Sequence, residues 1–563
     1  MDKAKSMILP QINTSRILNK TLIFTIAILL FLFLALTLAY YLWLKEAGFF
    51  STLLNFHCHS RFLFDFFNFC RGHNLFDIAN QFFAVEYWPK LHYVFTILFL
   101  NMFGMTYISM AMVNTLYLFI IMFVVYGLSL RITKNCWCAL FSSFVVTMYP
   151  GIIRFMTGYE LPIGVIAFST LSVYFLVLSE SFNKATYSAL FALSTCCAMY
   201  MDRFSPIFFI LGPYLYMLLK TKDFTRIRIG NLLLAHLIIL LILFPFYSNW
   251  IHANIFDTTR IFDSGGYDSR KDFINFNSPY FVQTSLFYLL IMPQYQLGIF
   301  WFILFCLALL ILIKNKKASA GLLLSWIILP LLIYTVLPKK NFSYTLPLLS
   351  PIAIITAYGI FEINRDSLRR FCIFTALMIG LISFTLFLIK PNDANRIFCY
   401  RLSEGYEKNT LIAPSEVIPE YPFEYKNYFH WLSDFGIKDF LSQKDVKIQL
   451  LTMPSPDQVY PNWWDIIFKI MILLKNPTAV VFGSSLPNEL NRACLYRPSY
   501  FVFQKNISSD ITPEYALKEM DNLYKKNGQI SDDCKIQIPS LKLYMKNVFP
   551  EIKQEIFFYR VLD

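Results

Sequence analysis

Three histidines, two cysteines, two arginines and an aspartate crowd into the stretch NFHCHSRFLFDFFNFCRGHN, residues 55–74. Residue types that move protons or hold metals are dense here, and their spacing allows several chemistries. On a helix His57, Arg61 and Asp65 fall four apart and share a face, which makes either an internal ion pair or a presented base. On a strand His57 and His59 point the same way. Joined by Glu86 or His92, they would give the imidazole and carboxylate donors that suit zinc or a similar divalent ion. Either His57 or His59 alone could act as a base, since imidazole titrates near neutral pH. Cys58 and Cys70 could instead pair as a disulfide. These readings stand side by side.

Such residues need elements to hold them, and the composition says which kind. The chain of 563 residues is 56% hydrophobic and 18% aromatic, and only 15% of it is charged. Soluble domains carry about 25% charged residues. Apolar runs of membrane-spanning length recur, so the chain reads as an α-helical polytopic membrane protein. The net charge of +13 is broken into short clusters between those runs. That pattern fits membrane topology and excludes the continuous basic face that nucleic-acid binding wants.

About 20 apolar residues make a span, and Lys and Arg gather on the cytoplasmic side. Together these rules predict about eleven spans, near 21–44, 107–130, 136–152, 161–179, 186–201, 204–220, 231–249, 296–314, 319–336, 343–363 and 369–389. The segments 91–103 and 280–293 are short and read as helices at the outer interface; counting them as spans gives about thirteen. Outside loops then cover 45–106 and 250–280, with the shorter turns RFMTGYELP and LPKKNFSYTLP on the same side. The mixed charges of 250–280 around SGG read as a solvated loop or as a lid over an acceptor. Residues 1–390 form the membrane domain. Residues 391–563 turn polar, with β-rich runs such as KIQLLTM and IFFYRVL alternating with helical stretches. This predicts a soluble α/β domain outside the membrane, where Cys494 and Cys534 could bridge.

Four stretches carry a family resemblance. EYWPKLHYVFTILFLNMFG, YPGIIRFMTGYELPIGVIAF, MDRFSPIFFILGPYLYML and LPKKNFSYTLPLLSPIAI resemble, in order, elements of the polyprenyl-phosphate-dependent membrane glycosyltransferases of the GT-C class. The protein-mannosyltransferase and aminoarabinose-transferase groups (glycosyltransferase family 39) are the most similar. Glu160 stands where the family usually has Asp, and Arg203 where it has Lys. The family's first outside loop begins with an acid, and at that place this chain has Cys58 and His59.

The resemblance implies a GT-C-like fold and an enzyme that takes a sugar from a polyprenyl-phosphate donor and passes it to an acceptor at the outer face of the membrane. A lipid phosphate leaves readily, so the donor side wants cations, and the acceptor wants a base. Glu160, Asp65 and His59 are then the candidate catalytic residues. Lys339, Lys340, Arg203 and Arg154 are the candidate phosphate-binding cations, and Glu86 and Tyr344 the acceptor-side groups. A divalent ion on His57, His59 and Glu86 is a further expectation, and membrane lipids are expected partners. Plainer roles stand beside these. Glu160 could be a helix-start carboxylate serving the dipole, the twin lysines could snorkel, and Asp202 could simply neutralise Arg203. A catalytically silent scaffold of envelope assembly and a lipid-linked glycan transporter are the rival functions. Charges within the spans are scarce, which disfavours transport. A bacterial inner membrane is the expected location.

Overall fold

The structure is a computed structural model. It describes residues 16–47, 63, 66, 67, 69, 70, 72–83, 89–255 except 105, 157, 160, 204 and 222, then 286–289, 291–336, 343–389 and five strand segments within 447–562. Contacts divide the chain into two units: 1–43, 79–95 and 111–420 form the first, and 44–78, 96–110 and 421–563 the second.

The described helices are α1 (Arg16–Ala47), α2 (Leu75–Phe83), α3 (Leu91–Phe103), α4 (Tyr107–Ala111), α5 (Val113–Thr133), α6 (Cys136–Thr147), α7 (Pro150–Met156) and α8 (Pro162–Leu178). They continue with α9 (Ala185–Met199), α10 (Ser205–Lys220), α11 (Arg226–Ile255), α12 (Ile299–Lys314), α13 (Ala318–Val336), α14 (Leu349–Phe361) and α15 (Asp366–Ile389). Each of the spans expected from sequence coincides with a helix or a broken pair of helices. By length and composition, four helices suffice to cross a membrane, or five if the bent pair of α6 and α7 is one span. The remaining expected spans are shorter apolar helices of 10–17 residues. The chain is an integral membrane protein.

The local sequence explains where helices start and bend. The Asn135 side chain caps α6, accepting from the backbone of Trp137 at 2.9 Å and Cys138 at 3.1 Å. Pro162 opens α8 at a position where its missing N–H costs nothing. The single span expected over 136–152 is instead two helices bent by 61°. Pro150 sits at the start of the second, and proline restricts the residue before it and removes a donor.

Within the first unit, α5 packs on α6 and α8, α9 on α8 and α11, α10 on α13, and α12 on α14. Hydrogen bonds between hydroxyls stitch these faces: Ser129 to Ser142 at 2.8 Å, Thr170 to Ser350 at 2.8 Å, and Thr25 to Tyr126 at 2.6 Å. Two glycines allow the closest approaches. A Cβ on Gly212 would run into the Ser325 carbonyl of α13, and one on Gly359 would lie 2.5 Å from Ala308 of α12. Small residues play this part in membranes, where helices associate by packing rather than by the hydrophobic effect.

Successive helices run in alternating directions, so the unit has two chemically different ends. At one end Glu180 accepts from Arg131 at 3.0 Å and from Lys184 at 2.8 Å. Lys317 pairs there with Glu362 at 2.8 Å, and this bond holds its ammonium charged to higher pH than usual. The turn between α8 and α9 is tight: Glu180, Ser181 and Phe182 all have positive φ, at 53°, 57° and 65°. Such backbone persists only when overdetermined. Here the Ser179 hydroxyl accepts from the Phe182 N–H at 3.1 Å, and the Asn231 amide donates to the Phe182 carbonyl at 2.9 Å. The opposite end, called the mouth below, carries the candidate site.

In the second unit five strands form one sheet: β1 (Lys447–Thr452), β2 (Val480–Phe482), β3 (Tyr500–Asn506), β4 (Ser540–Phe549) and β5 (Gln554–Leu562), in the order β2-β1-β3-β5-β4. β1 is parallel to β2 and β3, while β5 is antiparallel to β3 and β4, with a register shift between Leu543 and Met545. The helical stretches expected between these strands, and Cys494 and Cys534, lie outside the described residues.

Gly212→Ala and Gly359→Ala should each lower stability by about 1–3 kcal/mol, the usual cost of overpacking. Gly230→Ala, with nothing within 4 Å of the added Cβ, should leave it unchanged or raised. Thermal unfolding in detergent reads all three.

Candidate active site

The mouth is built from helix ends. Lys90 stands just before the first residue of α3, Leu91. Lys90 is only 1% exposed, a placement that lysine adopts only where its ammonium is coordinated. Its Nζ donates to the Gln81 carbonyl in the last turn of α2, where a helix offers unsatisfied carbonyls and partial negative charge. Two residues on, His92 is fully buried. Its Nδ1 lies 2.9 Å from the Tyr117 hydroxyl of α5, and its ring centroid is 4.6 Å from that of Tyr159.

Tyr159 belongs to the turn that joins α7 to α8. Asn114, at the start of α5, holds that turn: its amide donates to the Phe155 carbonyl at 3.0 Å and to the Gly158 carbonyl. Both neighbours of Glu160, Tyr159 and Leu161, are buried at the mouth. Glu160 itself lies outside the described residues. Arg154 lies half-buried on α7. A Cβ on Gly151 of the same helix would touch the Leu346 side chain and the Gln296 backbone. Gln296 in turn donates to the Thr345 hydroxyl at 2.8 Å. The segments around 151, 296 and 345 therefore meet at one spot.

A second group stands at the turn from α9 to α10. Asp202 accepts from the Ser205 hydroxyl, and the Tyr247 hydroxyl of α11 donates to the Arg203 carbonyl at 2.7 Å. Asp202 and Ser205 also lie within electrostatic reach of Tyr334 of α13. The Tyr334 ring packs 5.6 Å from Tyr344 and 5.9 Å from Tyr288. Burial pushes the Asp202 carboxyl above the usual carboxylate range, although the Ser205 bond and Arg203 pull the other way. Behind it Tyr200, Phe246 and Tyr247 form an apolar cluster with Phe82, Phe83 and Leu91 packed against it.

Arg154, Arg203 and Tyr344, all expected from sequence to serve the site, are thus at the mouth end of the first unit. His57, His59, Asp65, Glu86, Lys339 and Lys340 lie outside the described residues, and so does the Cys58 partner of the expected disulfide. Among the described residues no group of three or more His, Cys, Asp or Glu could hold a metal ion. Sequence reasoning passed over Lys90 as a site residue, weighed His92 only as a metal ligand, and treated Asp202 as a neutraliser. The signal for Lys90 was present: a lone cation after proline inside an otherwise apolar stretch.

No family model matches the chain, and no curated protein matches it by sequence. Solved structures match it by fold. One is ArnT from Cupriavidus metallidurans bound to undecaprenyl phosphate, with a TM-score of 0.53, 10% identity, and coverage of 94% of this chain and 97% of that one. The same enzyme in the apo state gives a TM-score of 0.52 and 11% identity with the same coverage. The Archaeoglobus fulgidus oligosaccharyltransferase gives a TM-score of 0.36 at 11% identity, covering 77% of this chain and 62% of that one. The chain has a GT-C-like fold, as the sequence resemblance implied.

Asn114→Ala removes the donor for two buried carbonyls and should cost about 1–3 kcal/mol. Hydrogen exchange should show it first at the amides of Phe155, Gly158 and Tyr159, before the helical core loosens.

Proposed function

We propose that this protein is an integral-membrane glycosyltransferase. It moves a sugar from a polyprenyl-phosphate donor to a hydroxyl or amine acceptor at the outer face of the membrane. The observation that carries this reading is the desolvated cation Lys90, at the same end of a GT-C-like bundle as Arg154 and Arg203. A solved structure of that fold holds undecaprenyl phosphate.

The charge balance favours such a site. In the donor the bridging phosphate is a diester with one negative charge. When the bond to the anomeric carbon breaks, the lipid phosphate leaves with a second charge. A cation in a dry site is therefore worth more in the transition state than in the ground state, which is the condition for catalysis. Lys90 joins Arg154, Arg203, Lys339 and Lys340 as the groups assigned to that phosphate. The acceptor proton must go to a base, and Glu160 and Asp65 are the carboxylates assigned to the reaction, with His59 as the titratable alternative in the first loop. Tyr344 and Glu86 are assigned to the acceptor side. The C-terminal region is read as an α/β domain outside the membrane. The membrane is read as a bacterial inner membrane.

The test uses purified protein in nanodiscs with a mixture of polyprenyl-phosphate sugars and envelope acceptors. Sugar transfer is expected, and Glu160→Gln or Asp65→Asn should reduce it strongly. Lipid binding without transfer in the unaltered protein would point to a scaffold, and uptake without a new glycosidic bond would point to transport. Lys90→Gln should weaken undecaprenyl phosphate binding by roughly tenfold to a hundredfold, the worth of a charge-assisted bond.

A further inference from the structure

Asp202 is placed oddly for a group with no chemistry. It sits at the mouth beside Arg203, one of the cations assigned to the lipid phosphate, and a carboxylate there repels the same anion that Arg203 attracts. Its residue surface is half-buried, and its carboxyl is enclosed by groups from other helices. The Ser205 hydroxyl donates to it from α10. The titratable and charged groups facing it among the described residues are Arg203 on its own turn, Tyr247 of α11 and Tyr334 of α13. Tyr200 and Cys196 of the α9 end stand behind Tyr247.

We propose that Asp202 is a positioning residue that couples capture of a lipid phosphate to the uptake of one proton, shedding its own charge so that it no longer repels the anion. The inference rests on the reading of the mouth as a lipid-phosphate site. The step balances simply: as the phosphate enters, the Asp202 carboxylate takes a proton from water, and it returns that proton when the lipid phosphate leaves. The surroundings suit this role. The Ser205 hydroxyl can donate to the carboxylate or, by rotating, accept from the carboxylic acid, so either state keeps a partner. Burial already disfavours the charged form. The Ser205 bond favours the charged form and so works as a counterweight.

The sign follows directly. Above its raised pKa Asp202 is charged and opposes the anion. Below it the opposition is gone, so affinity rises as pH falls. The titration of the phosphate itself is common to every variant and cancels in the ratio.

The experiment measures undecaprenyl phosphate binding to the full-length protein in nanodiscs between about pH 4 and 8, the range in which buried carboxyls titrate. Asp202→Asn keeps the shape and removes the charge. The ratio of its affinity to that of the unaltered protein should be near one at low pH and climb to roughly tenfold at high pH, about one like-charge contact. Ser205→Ala keeps the carboxyl but removes its donor. Its midpoint should move up by about one pH unit. A merely structural loss would weaken binding at every pH and move no midpoint. Parallel curves for Asp202→Asn and the unaltered protein, or a Ser205→Ala midpoint that stays put or falls, would overturn the proposal. If the unaltered protein binds no undecaprenyl phosphate at any pH, the lipid-phosphate reading itself fails and takes this one with it.

Discussion

Hydrocarbon solvates no ions, and from that single constraint the arrangement of this molecule follows. Each polar group along a span must find its partner inside the protein, and each charge must reach an end. Many of the described polar groups of the helical unit follow this. Hydroxyls on α5, α6, α8 and α14 bond to one another or to carbonyls, while Arg131, Glu180, Lys184, Lys317 and Glu362 are paired at one end. A pairing between neighbouring turns does two things at once: it neutralises the charges and fixes which turns are neighbours. The left-handed turn at 180–182 is tolerated because the ion pairs and the Asn231 bond leave it no alternative.

The mouth departs from that economy. Lys90 is as buried as a core leucine, and its Nζ donates to a helix-end carbonyl. Asp202 keeps a carboxyl in surroundings that penalise its charge. Local choices that work against stability tend to mark function. The two ends of one bundle differ in kind: one is closed by ion pairs between neighbouring turns, and the other holds a buried lysine and a carboxyl whose charge burial disfavours.

The helices were legible because a span must be apolar on every face, and a run such as IFWFILFCLALLILIK has no other good use. The gathering of basic residues into turns was legible as well, since Arg131 and Lys184 meet at Glu180, and Lys317 meets Glu362. The bend at Pro150 was not drawn, although the proline was visible, because a span of ordinary length absorbs a proline as often as it breaks. Burial of Lys90 could not be read from WPKLHY, because it depends on where the end of α2 comes to rest. The His92 to Tyr117 contact joins residues 25 apart, and the surroundings of Asp202 come from helices more distant still. Periodicity carries no information about such pairings.

The two turns at the mouth therefore suit different work. Asn114 and the His92–Tyr159 contact hold the turn through Gly158 and Tyr159 from two sides, and so constrained a backbone suits a task that needs fixed geometry. Asp202 has a different setting: a rotatable Ser205 hydroxyl that serves either protonation state, and a cation next to it in sequence. A group so placed contributes by changing charge rather than by holding position. Under the proposed reading, a site that first attracts an anion and later releases a more highly charged one has use for both kinds of turn, one fixed and one that can change its charge.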